Sequence, residues 1–477
     1  MRSNAKVRAT AQKLIVHFTA TKVSLRERLA QGKRLRHHIP RSSHATLDIS
    51  SRRFDPVDIL EAQAATRLAK LIPVRYAHML GSPFAFLRGS AAIMARDLSS
   101  TPRTDLHVQA CGDMHVSNFG VFATAERALA FGINDFDETS PGTWEWDLKR
   151  LATSALVAGR FLGADKLLCL EAVRAVVQSY REHLQTYARL GHLHLWNTQI
   201  TEQALLKALP KNLYKRAQSI LAKTRRRTHL QVLAKLTEIL DDQKRIVESK
   251  PWVVRETRTS TGRPVREALS LFLLHYMDSL SPDRRLLLSR YRVVDVARKF
   301  VGIGSMGTRC WIIYLEGQDD NDPLFLQIKE AQPSVLGPYF GKSLFANQGQ
   351  RVVAGQRLIQ GSPDIFLGWG EQDGTQYYVR QLRDMKGGVH LEPEKFRPHN
   401  LPDYAGLCGW ALALAHAKSG DAALLAGYVG QNDALDEAIA AFAASYGDQT
   451  ERDHAALKSA AKRGRIKIAS PAAAGLH

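Results

Sequence analysis

The sequence is poor in features that mark several protein classes. It has only four cysteines in 477 residues, Cys111, Cys169, Cys310 and Cys408, and none stands at a CxxC or Cys/His finger spacing. That argues against a disulfide framework or a zinc knuckle, and reduced thiols fit a cytosolic chain. No apolar run approaches the roughly 20 residues that span a bilayer. The basic N-terminus offers only Leu14-Ile15-Val16, too short for the core of a signal peptide, so a cytoplasmic location without a membrane span is expected. Internal repeats are missing too. Acidic residues are the scarcer charge, 46 against 66 Lys and Arg, for a net charge of +20.

What remains is a composition of 45% hydrophobic and 23% charged residues, ordinary for a folded soluble chain. The length implies two or three domains. The positive excess is concentrated at residues 1–53 (net +11), 205–250 (net +8, with Arg225-Arg226-Arg227) and 451 onward (net +4). These stretches read as solvated arms and one helical face. A polyanion or nucleic acid is the partner they would suit.

Periodicity divides the chain into a basic arm (1–53), a helical lobe (54–292), a β-rich lobe (293–400), a returning helical segment (401–455) and a basic tail (456–477). Within the first lobe, residues 84–98 read as a short strand or loop entering a helix. Val108–Ala110 and Leu129–Ile133 read as strands, and a long helix begins near Trp146. Residues 165–295 read as mostly helical. The β-rich lobe reads as a hairpin ending at Lys329, a helix over Leu344–Leu358, and strands near Asp364–Trp369 and Gln376–Leu382. A helix over Tyr404–Lys418 follows.

Two turns carry the chemistry. Asp113 and Asn118 sit five positions apart in a loop leaving a strand, GDMHVSN. Asp135, Asp137 and Glu138 follow the next strand. Carboxylates and an amide gathered at adjacent strand ends repel unless a cation neutralises them, and hard oxygens suit Mg²⁺ or Mn²⁺ shared with substrate phosphates. Surface turns are the alternative reading of the same residues. Asp147, early in the following helix, suits a structural acceptor of backbone N–H groups. His115 is either a loop-ordering residue or an acid/base, and Arg88 and Arg150 suit pairing with these acids or with phosphate.

Gly302, Gly304, Ser305 and Gly307 lie in a GxGxxG segment that enters a strand rather than a helix, which disfavours dinucleotide binding. A Gly-rich loop between two strands, followed by a lysine on the next, is the phosphate cover of a kinase-like lobe; here the lysine is Lys329.

The stretches SPFAFLRGSAAIMARDL, GDMHVSNFG, INDFDETSPGTWEWDLKRLA, VGIGSMGTR, YVRQLRDMKG and LALAHAKSGD resemble the bacterial domain-of-unknown-function 2252 family over roughly residues 50–455. GDMHVSN is in turn similar to the catalytic loop of aminoglycoside phosphotransferases and protein kinases, and NDFDE to their metal-binding segment. The resemblance implies Asp113 as base toward a substrate hydroxyl, Asn118 and Asp135 as Mg²⁺ ligands with Asp137 as a second, and Lys329 on the phosphates of ATP. It implies a hinge near Tyr378–Leu382, with Gln381 toward the nucleotide. The expected fold is α+β, a protein kinase-like two-lobe fold in circularly permuted order, because the catalytic loop precedes the Gly segment. Reading His416–Asp421 as the catalytic loop fails, since Ala426 stands five residues beyond Asp421.

Two departures from that pattern are visible. Gln350 and Gln356 occupy the helix after Lys329 where a glutamate is expected, and Gly132 stands where an acid is expected. The expected activity is phosphoryl transfer from ATP with Mg²⁺ to an unknown hydroxyl acceptor. The alternatives are a nucleotide-binding pseudokinase, a metal-dependent phosphoesterase, and a nucleic-acid-associated protein using the basic arms.

Overall fold

Helices at the start and at the end of the chain build one body, and strands between them build a sheet. In the computed structural model, residues 20–475 are described apart from 49, 51, 227–228, 241–242, 251, 260, 300–305, 320, 342 and 383–384. Gly302, Gly304 and Ser305 therefore lie outside the described residues.

The body begins with α1 (Leu25–Arg34), α2 (Ile72–Leu80), α3 (Pro83–Gly89) and α4 (Ala91–Leu98). The stretch expected to hold a strand or loop is thus a pair of short helices. Ser82 caps the first, accepting the Ala85 N–H with Pro83 at the first helical position, and the backbone breaks at Ser90. Strands β1 (His107–Ala110), β2 (Phe119–Ala123), β3 (Leu129–Ile133) and β4 (Ser140–Thr143) follow, then α5 (Trp144–Phe161) and α6 (Lys166–Tyr187). Strand β1 pairs with β4, and β2 with β3, all antiparallel. Helix α5 is buried along nearly its whole length.

The chain then runs through β5 (Ile200–Thr201), which pairs with β3, to α7 (His229–Leu236). The hairpin of β6 (Thr237–Leu240) and β7 (Gln243–Ile246) follows. Strands therefore interrupt a stretch whose sequence reads as helical.

The large sheet uses β8 (Val253–Val254), β9 (Arg292–Lys299), β10 (Cys310–Glu316), β11 (Pro323–Glu330), β12 (Gly368–Gln372) and β13 (Thr375–Gln381). Its order is β12-β13-β11-β10-β9-β8, every neighbour antiparallel. Two helices flank it in sequence, α8 (Val265–Asp278) before β9 and α9 (Gln348–Gln360) between β11 and β12. Helix α9 starts later than the sequence suggests, because Asn347 caps it by accepting the Gln350 N–H. Strand β12 also starts late. Asp364 is spent on a turn, taking the Phe366 and Gln381 N–H groups.

Alternation assigns the two faces of this sheet. Leu324, Leu326 and Ile328 pack on Phe272 and Tyr276 of α8. Phe325 joins Ala297, Ile312 and Tyr314 on the other face, the face that carries Gln327 and Lys329.

After the short β14 (Gly387–Gly388), which pairs with β2, the chain returns as α10 (Leu401–Ser419), α11 (Ala422–Val429) and α12 (Ala434–Lys462). Helix α10 packs closely on α6: a Cβ added at Gly409 would stand 2.2 Å from the Val176 carbonyl oxygen. The N-terminal segment is not a detached arm where it is described. Arg28 pairs with Asp421 at 3.1 Å, and Arg36 and Arg41 donate to carbonyls at the end of α11. The result is a mixed α+β architecture with several antiparallel sheets. No helix among the described residues is long and apolar enough to cross a membrane.

Candidate functional site

The loop after β1 is fixed from beneath. Gly112 takes a left-handed conformation (φ 75°) that suits glycine. Both oxygens of Asp147, in the first turn of α5, accept from this turn: Cys111 N–H at 2.6 Å and Gly112 N–H at 2.9 Å. Asp147 also lies 3.4 Å from His416, whose other ring nitrogen meets the Tyr180 hydroxyl. Further along, Ser154 accepts the Val116 N–H and Tyr404 donates to the Val116 carbonyl. The loop is thus held by α5 and α10, and Asp113 and Asn118 inherit that rigidity.

Asp113 Oδ1 receives Arg150 Nε at 3.0 Å and Nη2 at 2.5 Å. Asn118 Nδ2 donates back to the Asp113 carbonyl at 2.7 Å, closing the loop on itself. Burial lifts the Asp113 carboxyl above its ordinary range, although Arg150 and Arg88 oppose the rise. His115 Nε2 stands 3.8 Å from Asp113 Oδ2, beyond hydrogen-bond reach. Burial, with Arg88 and Arg150 nearby, holds its imidazole well below the usual value, so it is neutral at physiological pH.

The second acidic turn follows β3. Asp135 accepts the Asp137 N–H at 3.2 Å. Asp137 is engaged on both oxygens, by Lys329 Nζ at 2.7 Å and the Tyr378 hydroxyl at 2.5 Å. The two carboxyls are pushed apart. Burial and the neighbouring Asp137 charge raise Asp135. Burial would raise Asp137 as well, but the Lys329 ammonium and the hydrogen bonds from Lys329 and Tyr378 hold it below the ordinary range. Glu138 accepts the Val335 N–H, and burial pushes it up to about 7.

The sequence pattern did not reveal several of these partners. Tyr378 faces Lys329 because the two are cross-strand partners on β13 and β11, which only the register shows. Arg351 lies on α9, the helix where a glutamate was expected, and reaches the acidic turn instead. It binds the Thr139, Asp137 and Gln332 carbonyls and so holds the acidic turn by its backbone. Lys329 therefore pairs with the acidic turn and not with the helix.

Other expected site residues are placed as follows. Gly307 has φ 96°, and its carbonyl accepts the Leu68 N–H at 2.7 Å, which ties the described end of the glycine segment to the helical body. Gln381 pairs with Leu326 in the sheet, and its backbone N–H donates to the Asp364 carboxylate. Arg88 lines two cavities with Asn118 and Asp135. The larger, about 740 Å³, also reaches Asn134, Arg380 and Lys386. Lys386 donates to the Asn134 carbonyl, and burial pulls its ammonium down to about 7. Beyond Lys329 the same sheet face is covered: Leu233 and Leu236 of α7 and Ile246 of β7 pack on Ile312, Tyr314, Phe325 and Leu382.

Asn118, Asp135 and Asp137 offer hard oxygens of the kind Mg²⁺ takes, and Asp135 accepts only one hydrogen bond among the described residues. That fits a cation shared with substrate phosphates. Among the described residues no group of three or more His, Cys, Asp or Glu is arranged to hold a metal by itself.

A family model for uncharacterised proteins conserved in bacteria, domain-of-unknown-function 2252, matches residues 67–460. The chain belongs to that family. The match takes in both acidic turns, Lys329 and α9, so the whole site lies within the shared part of the 2252 family. No curated protein and no solved structure matches the chain.

Proposed function

We propose that this member of the 2252 family is a Mg²⁺-dependent, ATP-using phosphotransferase of protein kinase-like type, in circularly permuted order, acting on a hydroxyl acceptor. One observation carries the reading. Lys329, from the third strand counted from β9, meets Asp137 of the acidic turn at 2.7 Å across 192 positions of sequence. A lysine on the third strand, a glycine segment between the first two, and an Asp-x₄-Asn loop with an acidic turn across the cleft are the working parts of phosphoryl transfer by kinases.

In this reading Asp113 orients the acceptor hydroxyl and takes its proton, and Arg150 fixes the carboxylate that does so. Asn118 and Asp135 would hold Mg²⁺, which supplies charge neutralisation to the phosphates. Lys329 would exchange its contact with Asp137 for a phosphate oxygen. Catalysis then rests on positioning and electrostatics, with no covalent intermediate.

A second reading, nucleotide binding without transfer, draws support from Arg150, which occupies Asp113 Oδ1 twice over. Both readings require ATP with Mg²⁺ to raise the melting temperature of the full chain, and Lys329→Met and Asp135→Asn to abolish that rise. Equal shifts in wild type and both variants would refute nucleotide binding at this cleft. Transfer is then tested by ATP turnover, which Asp113→Asn abolishes while leaving the thermal shift in place.

A further inference from the structure

The small cavity beside the acidic turns is lined by three arginines, Arg67, Arg75 and Arg88, as well as by carboxylates. Its volume is about 50 Å³, room for one phosphate-sized group. Arg75 on α2 is 1% exposed. Its Nη2 donates to the Gly89 carbonyl at 2.7 Å and to Gln63 at 3.4 Å. Its Nε and Nη1 are buried and find no acceptor among the described residues, and the same is true of Arg88 Nε. Buried guanidinium donors left open are costly unless an acceptor meets them.

The carboxylates of the lining do not serve as those acceptors: three have their own cation, and Asp135 and Glu138, which have none among the described residues, accept the Asp137 and Val335 N–H groups. Asp113 is taken by Arg150, Asp137 by Lys329 and Glu330 by Arg309. Arg67 donates to the Met306 carbonyl. Open arginine forks in a cavity of this size suit a planar or tetrahedral oxyanion. Burial, with Arg67 nearby, pulls Arg75 down to about 9, although Asp113 and Glu138 oppose the fall.

We infer that the small cavity is a binding site for a single phosphate-type oxyanion, with Arg75 and Arg88 as its donors. Placing that oxyanion in a phosphotransfer reaction rests on the function proposed above; the anion site itself does not. Within that reaction the group has two sources, a phosphate carried by the acceptor or the terminal phosphate of the nucleotide.

The test is calorimetric titration of the full chain with inorganic phosphate, without nucleotide or divalent cation, and with chloride as the ionic-strength control. Saturable phosphate binding is expected, weakened at least about tenfold by Arg88→Met and by Arg75→Met and partly restored in Arg88→Lys. Arg88 is only half-buried, so its variants report even if Arg75→Met does not fold. Absence of saturable binding, or unchanged binding in Arg88→Met, would overturn the inference. Repeating the titration with Mg²⁺ and a non-hydrolysable ATP analogue identifies the source: persistence assigns the anion to the acceptor, displacement to the terminal phosphate. Phosphate binding that survives while ATP binding fails would sink the function proposed above and leave the anion site standing, and the converse result would do the reverse.

Discussion

Asp147 touches nothing in the cleft, yet the position of Asp113 depends on it. Its carboxylate is the acceptor for two consecutive buried N–H groups, and truncation would strand both. Each stranded donor costs about 1–3 kcal/mol, so Asp147→Ala should lower unfolding free energy by about 3 kcal/mol in denaturant titration. An unchanged midpoint would mean that the loop is held by Ser154 and Tyr404 alone. The legibility of the site follows from the same geometry. Asp113 and Asn118 could be read together because five residues of one loop carry both, and Asp147 because the next helix begins under it. Tyr378, Arg351 and the arginine cavity were hidden, because their places depend on strand register and on how α2, α3 and α9 pack.

Elements show a similar division. Strands β3 and β10 and helix α10 follow their apolar pattern closely, since each is packed on both flanks. Helices α3 and α4 do not, because a run as apolar as FAFLRGSAAIMARDL carries no clear period, and the decisive signal was the Ser82-Pro83 start. The hairpin β6–β7 was concealed by the charged, helix-forming residues around it. That hairpin and α7 cover the outer part of the sheet face that carries Lys329, where an adenine would have to rest in a kinase-like site. If nucleotide binds there, the cover must lift first. A Leu233→Asp, Leu236→Asp double variant removes two apolar anchors, and it should tighten ATP·Mg²⁺ binding by about fivefold or more by removing that cost. Weaker binding in the double variant would show that α7 forms part of the site instead.

At the scale of the whole molecule, the two ends of the chain are bound together by charge as well as by packing. Arg52 bridges Asp97 at 3.0 Å and Asp453 at 2.6 Å, and Tyr446 donates to Asp97. Two buried carboxylates share one guanidinium. Burial, with Asp453 nearby, outweighs Arg52 and Tyr446 and pushes Asp97 up to about 6. The folded chain therefore binds this proton more tightly than the unfolded chain does. Stability contributed here falls as pH rises from about 4 to about 6 and stays lost above that. Wild-type stability relative to Asp97→Asn should drop by no more than about 3 kcal/mol across that window, measured by chemical denaturation in a pH series. A flat difference would show that Asp97 titrates normally.

The tight seam between α6 and α10 has a consequence for biosynthesis. Val173, Val176, Val177 and Tyr180 are fully covered in the finished protein, but about 210 residues separate the end of one helix from the start of the other. At roughly 5–20 residues per second, a ribosome needs roughly 10–40 seconds to deliver the missing half. Throughout that interval the nascent polypeptide carries a bare greasy groove, an invitation to chaperones while it waits for its own C-terminus.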